Sequence, residues 1–142
     1  MKRAARLRPV LQRLLDAERQ VRHRLAACET EWATQRARLA DLHRYAGEYR
    51  QRTQAGAVPV ATLREHQQFV GRLEQLALNQ ERAVHAAEQA CATVREELLR
   101  RQRRSEGLRR LIDRYQGQAQ QMNEQREQRV LDDWVSSRQR AG

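Results

Sequence analysis

The stretch Gln54-Ala-Gly-Ala-Val-Pro-Val-Ala61 interrupts two long segments in which apolar residues recur with a helical period. Gly56 has no Cβ and tolerates backbone conformations that end a helix, whereas Pro59 fixes φ and lacks an N–H donor. A proline is also well tolerated in the first turn of a helix. The stretch therefore predicts that one helix ends near residue 53 and that a second begins near residue 62.

The residues that form the predicted helix seam recur at alternating spacings of four and three on both sides of this turn. Before the turn, the series comprises Leu7, Leu11, Leu14, Val21, Leu25, Cys28, Trp32, Leu39, Leu42, Ala46 and Tyr49. After the turn, it comprises Leu63, His66, Val70, Leu73, Ala77, Gln80, Val84, Ala87, Cys91, Val94 and Leu98, and it continues to Met122. A mean spacing of about 3.5 residues over many turns is typical of supercoiled helices.

The predicted fold class is therefore all-α, a long two-helix antiparallel coiled-coil hairpin that forms a single domain over residues 1–142. The expected bounds are helix 1 over about 7–53, the turn over about 54–61 and helix 2 over about 62–135, with the residues after about 113 overhanging. In the overhang, Val130 and Trp134 lie four residues apart in a polar stretch. This spacing predicts either a frayed tail or a helix that a partner buries.

One antiparallel register pairs nearly every position of the two series, namely the register in which paired residue numbers sum to 119. It brings the seam acid Glu18 opposite the base Arg101, and it places Cys28 and Cys91 in one layer. We expect the Glu18–Arg101 pair to fix the register more than to add stability, because a buried ion pair gains little net of desolvation. Two cysteines without framework spacing predict reduced thiols in a cytosolic chain, with a disulfide between them as the alternative.

The net charge of +10 is unevenly distributed along the chain. Residues 1–24 carry +6 and residues 95–114 carry +4, whereas residues 25–94 and 115–142 are each balanced. The predicted register brings the two basic segments together at the open end of the hairpin. One interpretation is a solvated helix surface; the other is an electropositive end that docks on an acidic protein surface or on phosphate.

A basic coiled coil that binds nucleic acid is an alternative function, with Arg100-Arg-Gln-Arg-Arg104 as its densest basic run. No aromatic residue is interleaved with that run for base stacking, and acids interrupt the basic segments. We therefore expect no nucleic acid among the partners.

Residues with catalytic or metal-binding spacing are lacking in the sequence. The four histidines form no pair at the i,i+4 spacing that a helical metal site uses, and no glycine-rich phosphate loop is present. No signal-length apolar run and no transmembrane candidate occurs. We expect a chain that is not an enzyme and that uses no cofactor, no metal and no small-molecule ligand.

Aromatic and leucine side chains cluster on both arms next to the turn. This turn-end stripe comprises Leu42, Tyr45, Tyr49, Phe69, Leu73 and Leu76. Tyr45, Phe69 and Leu76 lie on one flank of the seam, where a solvated coiled coil favours charged residues. The stripe is either a thickened core that closes the turn or a patch on which a partner docks.

At these residues the sequence resembles the flagellar export family of FliJ. The resemblance is carried by Leu42-x-x-Tyr45-x-x-x-Tyr49 before the turn and by Gln68-Phe69-x-x-x-Leu73-Glu74 after it. Toward the end, Glu127-Gln-Arg-Val-Leu-Asp-Asp133 is similar to the Glu-Gln-Lys-x-x-Asp-Glu pattern of that family. The resemblance covers essentially the whole chain, including the position of the turn.

The resemblance implies a cytoplasmic protein, peripheral at the cytoplasmic face of the inner membrane, that acts like the rotor stalk of a rotary ATPase. It implies three partners: the hexameric flagellar export ATPase, the membrane export gate and the export chaperones. The gate is expected at the turn-end stripe, and the ATPase ring at six arginines of the basic end: Arg13, Arg100, Arg103, Arg104, Arg109 and Arg110. The equivalent stalk of a virulence type III secretion system is the closely related alternative.

Overall fold

The computed structural model describes residues 2–54 and 60–141, and all of them are helical. Helix α1 spans Lys2–Gln54 and helix α2 spans Val60–Ala141. The two long helices pack against each other, so the predicted all-α hairpin is confirmed. Residues 55–59, which include Gly56 and Pro59 of the predicted turn, lie outside the described residues.

Both helices are longer than the sequence pattern predicted. Helix α1 begins at Lys2 and continues through Pro9, although a proline within a helix removes one backbone hydrogen bond. Packing supports the turns before Pro9, because Ala4 is buried and the Arg3 guanidinium lies 5.6 Å from the centre of the Tyr115 ring. Helix α2 continues to Ala141 and includes the whole overhang.

The packing of the helices divides the chain into two compact units. Unit 1 consists of the described residues of Met1–Gln20 and Leu99–Gly142, and unit 2 consists of Val21–Leu98. The core of unit 1 is small: its buried residues are Ala4, Glu18, Ser105 and Ile112. The half-buried leucines Leu7, Leu11, Leu14 and Leu108 lie at seam positions around them.

Unit 2 has an apolar seam whose buried residues are Val21, Leu73, Cys91 and Val94. Cross-helix ion pairs flank this seam. The nitrogen–oxygen distances are 3.1 Å for Arg24–Glu97, 3.7 Å for Arg95–Glu29 and 2.8 Å for Arg50–Glu74. Residue numbers therefore rise along α1 as those of its partners fall along α2, which is the antiparallel arrangement.

Two seam positions of the sequence pattern are exposed in the structure. Met122 is exposed, as is every residue from 120 to 141. Leu63 is also exposed, and its partner in that register, residue 56, lies outside the described residues. No helix of the described part of the chain combines the length and apolar character needed to cross a membrane.

Candidate functional site

The inner half of the turn-end stripe is held together by aromatic contacts. The Tyr49 ring lies 4.6 Å from the Phe69 ring and 4.3 Å from the His66 ring, measured between centroids. The Tyr49 hydroxyl and His66 Nδ1 form a hydrogen bond of 2.6 Å. Leu73 is buried, whereas Leu42, Tyr49 and Phe69 are half-buried. These four stripe residues are packing residues of unit 2.

Tyr45 and Leu76 form the outer half of the stripe and face solvent. Their exposed fractions are 51% for Tyr45 and 52% for Leu76. Tyr45 meets the edge of Phe69 in a T-shaped contact, with ring centroids 6.4 Å apart and an interplanar angle of 72°. The Tyr45 ring therefore has one aromatic contact on which to orient and an open face toward solvent, which is the geometry of an exposed anchor.

An open groove adjoins Tyr45 on the α1 side of the stripe. Its lining comprises Arg38, Asp41, Leu42, Arg44, Tyr45, Glu48 and Gln80. Gln80 is fixed in place because its side-chain nitrogen donates to the Gln35 carbonyl oxygen at 2.9 Å and to Oε1 of the same residue at 2.7 Å. Leu42 and Tyr45 supply the apolar part of the lining, and the other lining residues are charged or polar.

His66 is a member of the aromatic cluster that the sequence placed only as a seam position. Its Nδ1 is bonded to Tyr49, whereas its Nε2 is buried without a hydrogen-bond partner among the described residues. In the predicted register His66 stands opposite Thr53 and Tyr49 opposite Val70, so the seam pattern did not indicate this contact, which joins residues about one turn apart. The bond ties α1 to α2 and holds the Tyr49 ring against Phe69, so it positions the stripe.

The six arginines expected at the ATPase ring all belong to unit 1 and are all exposed. None of the six forms an ion pair with a described residue. By the helical period, Arg100, Arg103 and Arg110 share the face of α2 that points away from the seam. Arg104 and Arg109 flank the seam on its two sides, and the sixth arginine lies on α1. The basic end thus presents uncompensated charge on several faces rather than one continuous strip.

The residues expected to set the register lie close to the seam. Glu18 is 4% exposed and accepts a hydrogen bond of 3.2 Å from the Ser105 hydroxyl, a contact that the sequence did not indicate. Arg101, the partner predicted for Glu18, is half-buried. The Glu18–Arg101 pairing stays a prediction.

Cys28 and Cys91 are neighbours in unit 2, and both are free thiols. Burial raises the pKa of the Cys91 thiol above its ordinary value, and the neighbouring Cys28 raises it further. The folded chain therefore favours the neutral thiol. The stability associated with this burial is present below the ordinary thiol pKa and falls as the pH rises above it.

The overhang is helical, and beyond residue 119 its side chains find no cover in the described part of the chain. Every residue from 120 to 141 is exposed. Its apolar members include Val130, Leu131, Trp134 and Val135, with exposed fractions of 67%, 56%, 56% and 46%. The segment is helical to Ala141, and its burial in a partner stays a prediction.

Metal-binding clusters of three or more His, Cys, Asp or Glu residues do not occur within residues 2–54 and 60–141. The candidate functional features described above are surfaces. They are the turn-end stripe, the unpaired arginines and the overhang.

Comparison with known proteins gives one match. A family model described as "Flagellar FliJ protein" matches residues 1–141. No curated protein and no solved structure matches the chain. The family match extends over both helices and both units, and it includes the stripe, the arginines and the overhang.

Proposed function

The chain belongs to the flagellar FliJ protein family and is a flagellar export-associated protein; we propose that it acts as a stalk that couples the export ATPase ring to the membrane export gate. The role is mechanical and non-enzymatic: the helix pair binds the ATPase at its basic end and the gate at its turn end. It works in the cytoplasm, peripheral to the inner membrane. Chaperone binding is a third part of the proposal and rests on the family alone.

The observation that carries the proposal is the exposed outer half of the turn-end stripe. Tyr45 and Leu76 are about half exposed on a helix pair whose seam is complete without them. An exposed tyrosine held by an edge contact to Phe69 loses little side-chain entropy when a partner covers it. Aromatic anchors of this kind carry a large share of binding energy at protein interfaces. We assign this surface to the gate.

The unpaired arginines of unit 1 support the second contact. A guanidinium without an internal acid is available to an acidic partner, and summed positive charge accelerates association with such a surface. In a stalk, the two binding surfaces must lie in different parts of the chain, and here one belongs to unit 2 and the other to unit 1.

The test of gate binding compares two leucines of α2 that are almost equally exposed but lie on different sides of the helix. Leu76 is 52% exposed and belongs to the stripe, whereas Leu78 is 50% exposed and lies on the opposite side of the helix by the helical period. We expect Leu76→Ala and Tyr45→Ala to weaken binding to the purified export gate by roughly tenfold or more, the range of interface hot spots. Leu78→Ala should leave it unchanged.

Thermal unfolding, followed by circular dichroism, accompanies each binding measurement. The substitutions at exposed positions should move the melting temperature little, because surface truncations usually change stability by less than about 0.5 kcal/mol. Equal gate binding by the Leu76→Ala and Leu78→Ala variants would contradict the assignment of the stripe. A large drop in melting temperature for Tyr45→Ala would return Tyr45 to the core.

A further inference from the structure

The exposed apolar residues of the overhang form one compact patch. This tail patch comprises Val130, Leu131, Trp134 and Val135. Their spacing of i, i+1, i+4 and i+5 places all four on a single face of α2. The patch lies beyond the part of α2 that α1 covers, since every residue from 120 to 141 is exposed.

The helical state of the overhang calls for a covering surface. Most of the stability of helices in proteins comes from packing an apolar face against other residues, and less of it from helix propensity. Residues 120–141 include the tail patch, and none of these residues is buried against the described part of the chain. Covering the tail patch would therefore both remove apolar surface from water and stabilise the helix.

Two opposite charges bracket the tail patch on the same face. Glu127 lies about one turn before the patch and Arg138 about one turn after it, both near the middle of the apolar face by the helical period. The Arg138 guanidinium lies 4.6 Å from the centre of the Trp134 ring. Neither Glu127 nor Arg138 forms an ion pair with a described residue. Along α2, this face therefore carries an acid at Glu127, then the apolar residues of the tail patch, and then a base at Arg138.

From this order we propose that the tail patch is a self-association surface, on which the overhang of a second copy of this chain docks antiparallel. A twofold axis between residues 132 and 133 would place Val130 opposite Val135 and Leu131 opposite Trp134 of the partner copy. The same axis places each Glu127 opposite the Arg138 of the other copy. An isologous interface requires this kind of self-complementarity.

The charges also select the direction of the pairing. In a parallel pair, Glu127 would face Glu127 and Arg138 would face Arg138, and such like-charge contacts are unfavourable. Of the other charged residues nearby, Arg126, Arg129, Asp132, Asp133 and Arg140 lie away from the centre of the face by the helical period, whereas Glu124 lies on it. In the antiparallel pairing Glu124 stands opposite Ala141 of the second copy, so it meets no like charge there. The ordered pattern of acid, apolar residues and base therefore favours a second copy over an arbitrary apolar partner.

The interface is small, so the dimer is weak. Four apolar side chains from each copy bury less than the ~1,000 Å² expected of a stable interface, and the dissociation constant should be on the order of 10–100 µM. Association at this strength depends on local concentration and leaves the overhang free when the chain is dilute. The proposal goes beyond the stalk function and does not depend on it.

The experiment uses sedimentation equilibrium of the full chain from about 5 to 500 µM. The unaltered chain should shift from monomer to dimer across this range. Glu127→Arg and Arg138→Glu should each abolish the dimer, because each places like charges opposite one another. An equimolar mixture of the two variants should regain a dimer. In the mixed pair, the arginine introduced at position 127 of one variant faces the glutamate introduced at position 138 of the other, and the two unaltered residues also face each other.

Matched controls reverse charges on another face of the same helix. Arg140→Glu and Asp133→Arg should leave the dimer unchanged, and circular dichroism should report equal helicity for all variants. A chain that stays monomeric throughout would overturn the proposal and leave the patch to a different protein. A dimer that resists both charge reversals, or a mixture that does not associate, would overturn the antiparallel arrangement.

Discussion

Arginine is used differently in the two units of this chain. In unit 2, Arg24, Arg50 and Arg95 each reach an acid on the opposite helix, at nitrogen–oxygen distances of 2.8 to 3.7 Å. In unit 1, the six exposed arginines of the basic end form no ion pair with a described residue. The sequence supplies the reason: unit 1 has seventeen bases against eight acids, and unit 2 has eleven against ten, for net charges of +9 and +1.

The difference separates charges that specify the helix pairing from charges that remain available to a partner. Exposed ion pairs add about 0–1 kcal/mol each, so those of unit 2 chiefly select one alignment of the helices among several. Unpaired guanidiniums repel one another and gain from an acidic surface brought from outside. Three arginines of unit 2 therefore contribute to internal alignment, whereas for the six arginines of unit 1 we propose a role in binding an outside partner.

The largest expected effect comes from reversing the unpaired charges. Arg103, Arg104, Arg109 and Arg110 changed together to Glu should weaken binding to the purified export ATPase by roughly 10- to 100-fold at low salt, and should flatten its salt dependence. The physical reason is that these charges lack internal partners among the described residues, so their attraction is available to an acidic surface. Affinity is measured by titration at several salt concentrations.

The matched control applies the same change in charge to exposed arginines of unit 2. It carries Arg52→Glu, Arg64→Glu, Arg72→Glu and Arg82→Glu. This control should bind the ATPase nearly as the unaltered chain does. If both sets weaken binding equally, only the net charge matters and the two units do not differ in this respect. If neither set weakens it, the arginines of unit 1 are a solvated surface.

The sequence predicted the helices and the seam because both depend on a period that many residues repeat. A single misplaced residue such as Leu63 does not disturb a pattern of that length. The same reasoning missed the end of α2 at Ala141, since a seam pattern stops where its partner helix stops while the backbone hydrogen bonds continue.

Contacts that depend on side-chain reach could not be predicted from the period. Ser105 donates to Glu18 although the predicted register pairs Glu18 with Arg101, because a side chain also reaches the residue one turn away on the facing helix. Likewise, the sequence treated the turn-end stripe as one feature. The structure divides it into a packed half around Tyr49 and an exposed half with Tyr45, a difference of a few tens of degrees around α1.

A smaller effect, on folding stability, is expected when the predicted partner of the buried acid Glu18 is removed. Arg101→Leu should lower the free energy of unfolding by about 1–3 kcal/mol, because Glu18 would lose its predicted charged partner in a buried position. The double variant Glu18→Leu with Arg101→Leu should recover most of that loss, since an apolar pair replaces an ion pair at little cost. Urea unfolding followed by circular dichroism measures both.

Arg100→Leu is the control for this pair, because Arg100 is the exposed neighbour of Arg101 and should change stability by less than about 0.5 kcal/mol. A double variant that is no more stable than Arg101→Leu alone would mean that Glu18 and Arg101 do not act as a pair. Ser105 would then be the principal partner of Glu18, and register in unit 1 would depend on its apolar residues.

The smallest expected effect comes from two exposed glycines, Gly107 in unit 1 and Gly47 in unit 2. A Cβ added at either position meets no atom within 4 Å, and neither residue has a positive φ. Alanine at each should therefore raise the free energy of unfolding by roughly 0.5–1 kcal/mol, the difference in helix propensity, as measured by urea unfolding.

Gly107 lies between Arg103 and Arg104 around the axis of α2, where a missing side chain lets a partner helix approach closely. Gly107→Ala should consequently stabilise the chain and yet weaken ATPase binding, whereas Gly47→Ala should stabilise it without that loss. Equal ATPase binding by both variants would show that the glycine at 107 has no part in the contact, and the difference between the units would then be one of charge alone.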